Sequence, residues 1–245
     1  MTITPFGDRA ILLNFEQKID VLINVQVVAL SNAILIEAVE GVMFCVPAYC
    51  SITVGFNPEV VQYNTLADKI YHISQNLAEN PKLSKSRRIN IPVCYESKFG
   101  IDRADVMIQT NLSWKEIVDI HTSAEYRVYM LGFIAGFAYM GTLPPVLECK
   151  RKETPRIDIP SGTVGIAGLQ TGVYPTRAHA GWQLIGRTPI PVFDPMAKNP
   201  FLFRVGDMVT FHAIESDTYE AVISSVESGK FDINSVISNG QNYQV

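Results

Sequence analysis

Between Pro155 and Pro189 the chain reads PRIDIPSGTVGIAGLQTGVYPTRAHAGWQLIGRTP, with glycines at 162, 165, 168, 172, 181 and 186 and very few charges. A solvated linker would be richer in Ser, Lys and Glu, and a packed core would not give up so many side chains. Glycine admits positive φ and lets peptide groups approach another surface closely. The run therefore predicts a backbone-lined binding groove. Gly162, Gly165 and Gly168 are its expected main-chain donors toward a cofactor or an anion.

A chain of 245 residues is long enough for one large or two modest domains with real cores. Its 47% hydrophobic and 18% charged content argues against disorder, and a formal net charge of -4 gives no reason to expect nucleic acid. The one basic run, Lys82 to Arg88, reads as a solvated linker, with a phosphate- or partner-binding patch as the alternative. The longest apolar candidate for a membrane span, Val21 to Val39, is interrupted by Asn24, Gln26, Ser31, Asn32 and Glu37. The N-terminus lacks the layout of a signal peptide. Cys45, Cys50, Cys94 and Cys149 form no Cys-x-x-Cys pair and have no zinc-finger histidines, so they read as reduced thiols in a cytoplasmic protein, with a Cys45–Cys50 disulfide as the minor alternative. No metal site is expected.

Two parts are visible, 1–88 and 89–245. The first offers a strand over Arg9–Phe15 and a helix from Asp20, its cap, to Ala38. Strands at Val42–Pro47 and Ser51–Phe56 can pair as a hairpin. After Asn57-Pro58 comes a helix with Leu66, Ile70, Ile73 and Leu77 on one face. This is a small α+β domain with one covered sheet face. The second part opens with a strand to Val93, then helices over Asp102–Gln109 and Ser113–His121; Ser113-Trp-Lys-Glu116 is a capping box. From Tyr126 onward, short apolar runs (126–133, 163–169, 183–186, 208–212 and 219–224) alternate with Gly and Pro turns, as in a β-barrel.

There is no Gly-x-x-x-x-Gly-Lys-Ser/Thr phosphate loop, no His-Glu-x-x-His helix and no Gly-x-Ser-x-Gly elbow. Arg156 and Arg187 bracket the glycine run and suit an anion, which Arg can hold at two points. Lys150-Arg151-Lys152 could join them in an anion site, but the favoured reading of these three is surface charge paired with Glu148, Glu153 and Asp158. His121 reads as a cation suited to a helix C-terminus, or as a general acid or base that lacks a visible partner. His179 lies inside the glycine region and is a candidate of its own. Phe133, Phe137, Tyr139 and Trp182 supply apolar walls, and Gln170, Thr171 and Tyr174 supply polar groups, the mixture typical of a ligand site.

GFIAGFAYMGTLPPVL (132–147), PRIDIPSGTVGIAGLQTGVYP (155–175) and GWQLIGRTPIPVFDP (181–195) closely resemble the 5-oxoprolinase B-subunit family, which includes the sporulation kinase inhibitor KipI and was long described as allophanate hydrolase subunit 1. PFGDRAILLNF and AYCSITVGFNP extend the likeness over nearly the whole chain. The chain departs from the family pattern at Ala135, Thr142, Cys149-Lys150 and Ala178-His179-Ala180. The resemblance implies an α+β domain followed by a mainly β, cyclophilin-like barrel. It further implies partner subunits C and A, and opening of 5-oxo-L-proline to L-glutamate with ATP and Mg²⁺ as co-substrate. Position by position, it points to His121, Arg156 and Arg187 as catalytic groups and to Phe137, Tyr139, Gln170, Thr171, Tyr174 and Trp182 around the substrate. Kinase inhibition of the KipI kind, or a place in a urea carboxylase-type complex, are the alternatives.

Overall fold

A computed structural model describes residues 1–79 and 86–239. The chain divides into two compact units, Met1–Ser86 and Arg87–Gly240. The expected linker residues Lys82 to Lys85 lie outside the described residues.

In the first unit β1 (Thr2–Pro5), β2 (Ala10–Asn14), α1 (Val21–Ile36), β3 (Val42–Pro47), β4 (Ser51–Phe56) and α2 (Tyr63–Glu79) follow one another. The strands form an antiparallel sheet in the order β1-β2-β4-β3. Sequence reading misses β1, whose residues are mostly exposed and carry no clear alternation. Asp20 caps α1 as expected, its carboxylate accepting from the N–H groups of Leu22 and Ile23. Ile11, Leu13, Ile52, Val54 and Phe56 meet Val27, Leu30 and Ile34 of α1 and Leu66 and Ile70 of α2 in one core. Cys45 and Cys50 are free thiols, and Ser31 donates to Cys45 Sγ.

The second unit begins with β5 (Arg87–Val93), α3 (Arg103–Thr110), α4 (Trp114–Ser123), β6 (Glu125–Leu131) and β7 (Ala138–Gly141). It continues with β8 (Arg156–Ile159), β9 (Thr163–Ala167), β10 (Gln170–Val173), β11 (Ala178–Ala180), β12 (Gln183–Arg187), β13 (Met208–Ala213), α5 (Ser216–Glu227) and β14 (Ile237–Asn239). Eight strands form a mixed sheet in the order β12-β9-β10-β7-β6-β13-β5-β14, in which only β13 and β5 run parallel; β8 and β11 make a separate ribbon. Arg87, at the end of the basic run, is drawn into β5 by the buried carboxylate of Asp207. The capping box of α4 is present in full, with Ser113 and Glu116 satisfying each other's orphan donors. Cys94, just past β5, exchanges main-chain hydrogen bonds with Arg187 of β12 at 2.9 and 3.0 Å. That one residue pair brings the curled sheet back toward itself without a continuous ladder. The architecture is therefore a curled mixed sheet with helices, where the sequence suggests a mainly β barrel.

One segment departs from expectation in type. Residues 219–224 are helical, inside α5, although their Val and Ile content reads as strand. Tyr219, Val222 and Val226 recur at helical spacing, and Val222 packs on the main core while Tyr219 is buried. The tertiary contact outweighs the weak intrinsic preference.

Gly162 shows what the glycine run is for. It has φ +79°, and a Cβ there would lie 2.4 Å from the Thr188 carbonyl oxygen. Its N–H donates to the Tyr174 carbonyl at 2.7 Å, and its own carbonyl accepts from Thr188. Gly162→Ala is expected to cost roughly 2–4 kcal/mol, from a left-handed backbone plus a main-chain clash. Urea unfolding of the variant would measure it, and a loss under about 0.5 kcal/mol would show that the turn can relax.

Candidate functional site

Period-two alternation gives β7, β9, β10 and β12 two distinct faces. One face sends Ala138, Met140, Val164, Ile166, Val173 and Ile185 into the main core. The other carries Phe137, Ala167, Tyr174 and Leu184 with Trp182, and Tyr139 packs against them. The β8–β11 ribbon adds Ile159, Ala178 and Ala180 to that second cluster.

Two glycines form the floor under the rings. Gly165 of β9 stands directly opposite Gly172 of β10. A Cβ on Gly172 would fall 2.8 Å from the Ala138 oxygen and 3.0 Å from the Phe137 ring, and one on Gly165 would lie 3.2 Å from Trp182 Cβ. Bare backbone is thus what lets the aromatics settle. Phe137 sits 4.9 Å from Tyr139, 5.2 Å from Tyr174 and 5.4 Å from Trp182, and Tyr139 lies 6.0 Å from Trp182. These separations suit edge-to-face and tilted packing. The sequence-derived substrate residues Phe137, Tyr139, Tyr174 and Trp182 are therefore gathered in one place. Gln170, half-buried, opens β10.

The expectation that the glycine amides line an open groove is corrected by the same geometry. Gly162 N–H goes to Tyr174, Gly168 N–H goes to the Cys149 carbonyl at 2.6 Å, and Gly165 is buried in a ladder between β10 and β12. Those peptide donors are committed within the fold. What the glycines admit at this face is aromatic ring.

The polar feature of this face is a hydroxyl. Tyr174 is 1% exposed and its Oη is buried with no hydrogen-bond partner among the described residues. Such a group costs about 1–3 kcal/mol to bury unpaired, so its retention suggests a partner supplied from outside the chain. Burial raises the phenol's pKa well above its ordinary value, with the charge of Arg151 opposing this. Tyr139 shows the same pattern, burial raising and Arg151 lowering. Phe133, 58% exposed and held at φ +70°, stands edge-on to Phe137 at 5.8 Å and forms the lip of the cluster.

The nearby cations are sorted by the carboxylate of Asp102, which sequence reading places at the start of a helix. Asp102 is buried, and its carboxylate makes no cap bond to α3. Instead its two oxygens receive the guanidinium of Arg156 in a two-point pair, with Nη1 to Oδ2 at 2.7 Å and Nη2 to Oδ1. Lys152 Nζ lies 3.0 Å from the same carboxylate and 2.6 Å from Asp105. Leu184 N–H donates to Asp102 Oδ2 at 2.8 Å, while Asp102 N–H donates to the Leu184 carbonyl. The expected pairing of Lys152 with Glu148, Glu153 or Asp158 is thus replaced, and Asp158 pairs with Arg177. Arg187 is placed elsewhere: its Nε donates to the Ser161 carbonyl and its guanidinium lies 5.9 Å from the Phe99 ring. His179 is exposed on β11.

His121 and Thr171 lie on the inner side. The His121 ring is fully buried, stacked on Phe211 at 4.8 Å. Thr171 Oγ1 donates to the Gly165 carbonyl, so it accepts from His121 Nε2–H at 3.0 Å, and Nδ1 then accepts the Tyr95 hydroxyl at 2.8 Å. Burial pushes the imidazole pKa down to about 3. The ring is neutral at ordinary pH, which removes the reading of a cation placed for the helix dipole. No group of three or more His, Cys, Asp or Glu side chains among the described residues could hold a metal ion.

A family model described as carboxyltransferase domain, subdomain C and D, matches residues 1–203. The chain is 38% identical to the 5-oxoprolinase B subunit of Bacillus subtilis over 89% of its own length and 95% of that protein's. It is also 38% identical to the protein of the same name from Escherichia coli O157:H7, over 84% and 92%. Among solved structures, TTHA0988 superposes with a TM-score of 0.76 at 32% identity; the match covers 85% of this chain and 40% of that one.

Proposed function

The chain belongs to the 5-oxoprolinase B-subunit family, and from that premise we propose that it serves in a complex that opens 5-oxo-L-proline to L-glutamate. The aromatic face of the second unit is the substrate surface in this reading, with the curled sheet as the family's cyclophilin-like barrel. 5-Oxoproline is a small, nearly flat ring with apolar methylenes on one edge and a polar amide and carboxylate on the other. Packed rings with one unpaired phenol offer that combination. The unpaired, buried Tyr174 hydroxyl carries the reading, because the fold alone gives it no reason to stay polar.

A lactam is a resonance-stabilised amide and opens slowly unaided. ATP with Mg²⁺, used by the assembled complex in the cytoplasm together with subunits A and C, would phosphorylate the amide oxygen and make its carbon attackable. Phe137, Tyr139 and Trp182 exclude water and orient the ring. Tyr174 donates to a substrate oxygen. Asp102 and Arg156 hold β12 and β8 in place around them. His121 and Thr171 support β10 from the inner face.

The test separates function from stability. Tyr174→Phe should leave the isolated chain as stable as before or about 1 kcal/mol more stable, because an unpaired buried hydroxyl is removed. In the complex reconstituted with its own subunits A and C, the same change should lower kcat/KM for ATP-dependent glutamate release about tenfold. Unchanged turnover would move the substrate away from this face. Absence of ATP-dependent glutamate release by the native complex would end the 5-oxoproline reading itself.

A further inference from the structure

The cations beside the aromatic face differ in how far they are already neutralised. Arg156 is committed to Asp102, and Lys152 to Asp102 and Asp105. Arg177 pairs with Asp158. Lys150 and Arg151 are exposed, and neither side chain has an ion pair or hydrogen bond among the described residues; of the two, Arg151 is the one whose charge acts on the phenols of this face. The main chain on either side of it is fastened to the site. Lys152 N–H donates to the Gly181 carbonyl at 2.7 Å, one residue before Trp182, and the Lys150 carbonyl accepts from the Gln183 side chain at 3.0 Å. Gly181 permits that approach, since a Cβ there would lie 3.1 Å from the Lys152 oxygen. With Lys152 sent to the α3 carboxylates, Arg151 is the cation whose charge reaches the phenols of Tyr139 and Tyr174 most strongly.

Resting on the 5-oxoprolinase reading above, we propose that Arg151 recognises the carboxylate of the cyclic-amide substrate, while the unpaired Tyr174 hydroxyl donates to an oxygen of the same molecule. A guanidinium on an exposed, unpaired side chain is free to turn onto a ligand and to form a two-point pair with its carboxylate. Arg156 and Lys152 lack that freedom, because leaving Asp102 would strand a buried charge. The specificity this implies is for lactams that carry an acid group. A neutral lactam of the same ring size gains the aromatic contacts but not the ion pair.

The experiment uses the reconstituted complex with 5-oxoproline as substrate and 2-pyrrolidinone, the same ring without the carboxylate, as competitor. Arg151→Ala should raise KM for 5-oxoproline by about 10- to 100-fold with kcat changed far less, because the lost contact is made equally in ground and transition states. Arg151→Lys should recover part of that loss, since charge returns without the planar fork. The concentration of 2-pyrrolidinone needed for half-inhibition, measured with subsaturating 5-oxoproline, should not rise in either variant. An unchanged KM in Arg151→Ala would overturn the assignment. So would a loss confined to kcat, or an equal weakening of 5-oxoproline and 2-pyrrolidinone. All of these require a native complex that releases glutamate from 5-oxoproline. A native complex that does not refutes the functional reading and is thereby distinguished from a failure of Arg151 alone.

Discussion

Replacing His121 with alanine is expected to destabilise the second unit by roughly 3–5 kcal/mol. The change empties a ring-sized space beside Phe211 and Tyr126, and it leaves the Tyr95 hydroxyl and Thr171 Oγ1 without the ring nitrogens they bind. His121→Gln retains one donor and one acceptor in a similar volume and should cost about 1–2 kcal/mol. The glutamine variant also isolates a pH effect. The folded-state pKa of about 3 lies below the ordinary value of 6.5, so the unfolded chain binds the proton more readily. The stability this ring contributes is complete above pH 6.5 and is lost as pH falls toward 3, by at most about 1.4 kcal/mol per pH unit. Denaturant midpoints at about pH 7 and about pH 5 should therefore differ more in the native protein than in His121→Gln. Equal pH dependence in the two proteins would refute a buried neutral imidazole.

Asp102→Ala is expected to cost about 2–4 kcal/mol. Removing this one carboxylate leaves Arg156 and Lys152 partly buried without their main counter-charge, and it frees the Leu184 N–H. The side chains of Arg156 and Lys152 are 27% and 20% exposed, so water relieves part of the penalty and the lower half of the range applies if they swing outward. Asp102→Ala combined with Arg156→Ala should cost less than the sum of the two single changes, with a coupling of about 1 kcal/mol or more. Strict additivity would show that the pair is not coupled. Because Asp102 joins α3 to β12 and to Arg156 of β8, its loss should also loosen the frame around Trp182 and Tyr174. Near-ultraviolet circular dichroism of the variant would report that change through the aromatic signals.

Local chemistry makes much of the framework readable. Asp20 before Val21 and Ser113 three residues before Glu116 announce helix starts that the structure keeps. The hairpin of β3 and β4 follows from two β-rich runs with a three-residue connection. Residues 219–224 mislead because Val and Ile suit a strand as well as a helix packed on a core, and only the core distinguishes them. The aromatic residues of the site stand out as a group, since few other segments combine rings with so little charge. Their use of the glycines does not. An absent Cβ admits a ligand and a tryptophan ring equally, and Trp182 precedes a strand that the sequence does not place beside Gly165 and Gly172.

Asp102 marks the limit of reading along a line. Its neighbours in sequence describe a helix start, whereas its partner Arg156 lies 54 positions away and Leu184 lies 82 away. Arg151, likewise, is one of three consecutive basic residues until the fold neutralises Lys152 and leaves it unpaired. Caps and period therefore determined most of the elements, because those depend on interactions within a few residues, while the ordered motifs of 132–147, 155–175 and 181–195 carried the family likeness and the aromatic candidates. Tertiary structure alone decided that Lys152 is paired while Arg151 is not, that the Tyr174 hydroxyl is buried without a partner among the described residues, and that His121 is neutral. Charge pairing and desolvation depend on what the folded chain brings within a few ångströms, and separation along the backbone does not predict that.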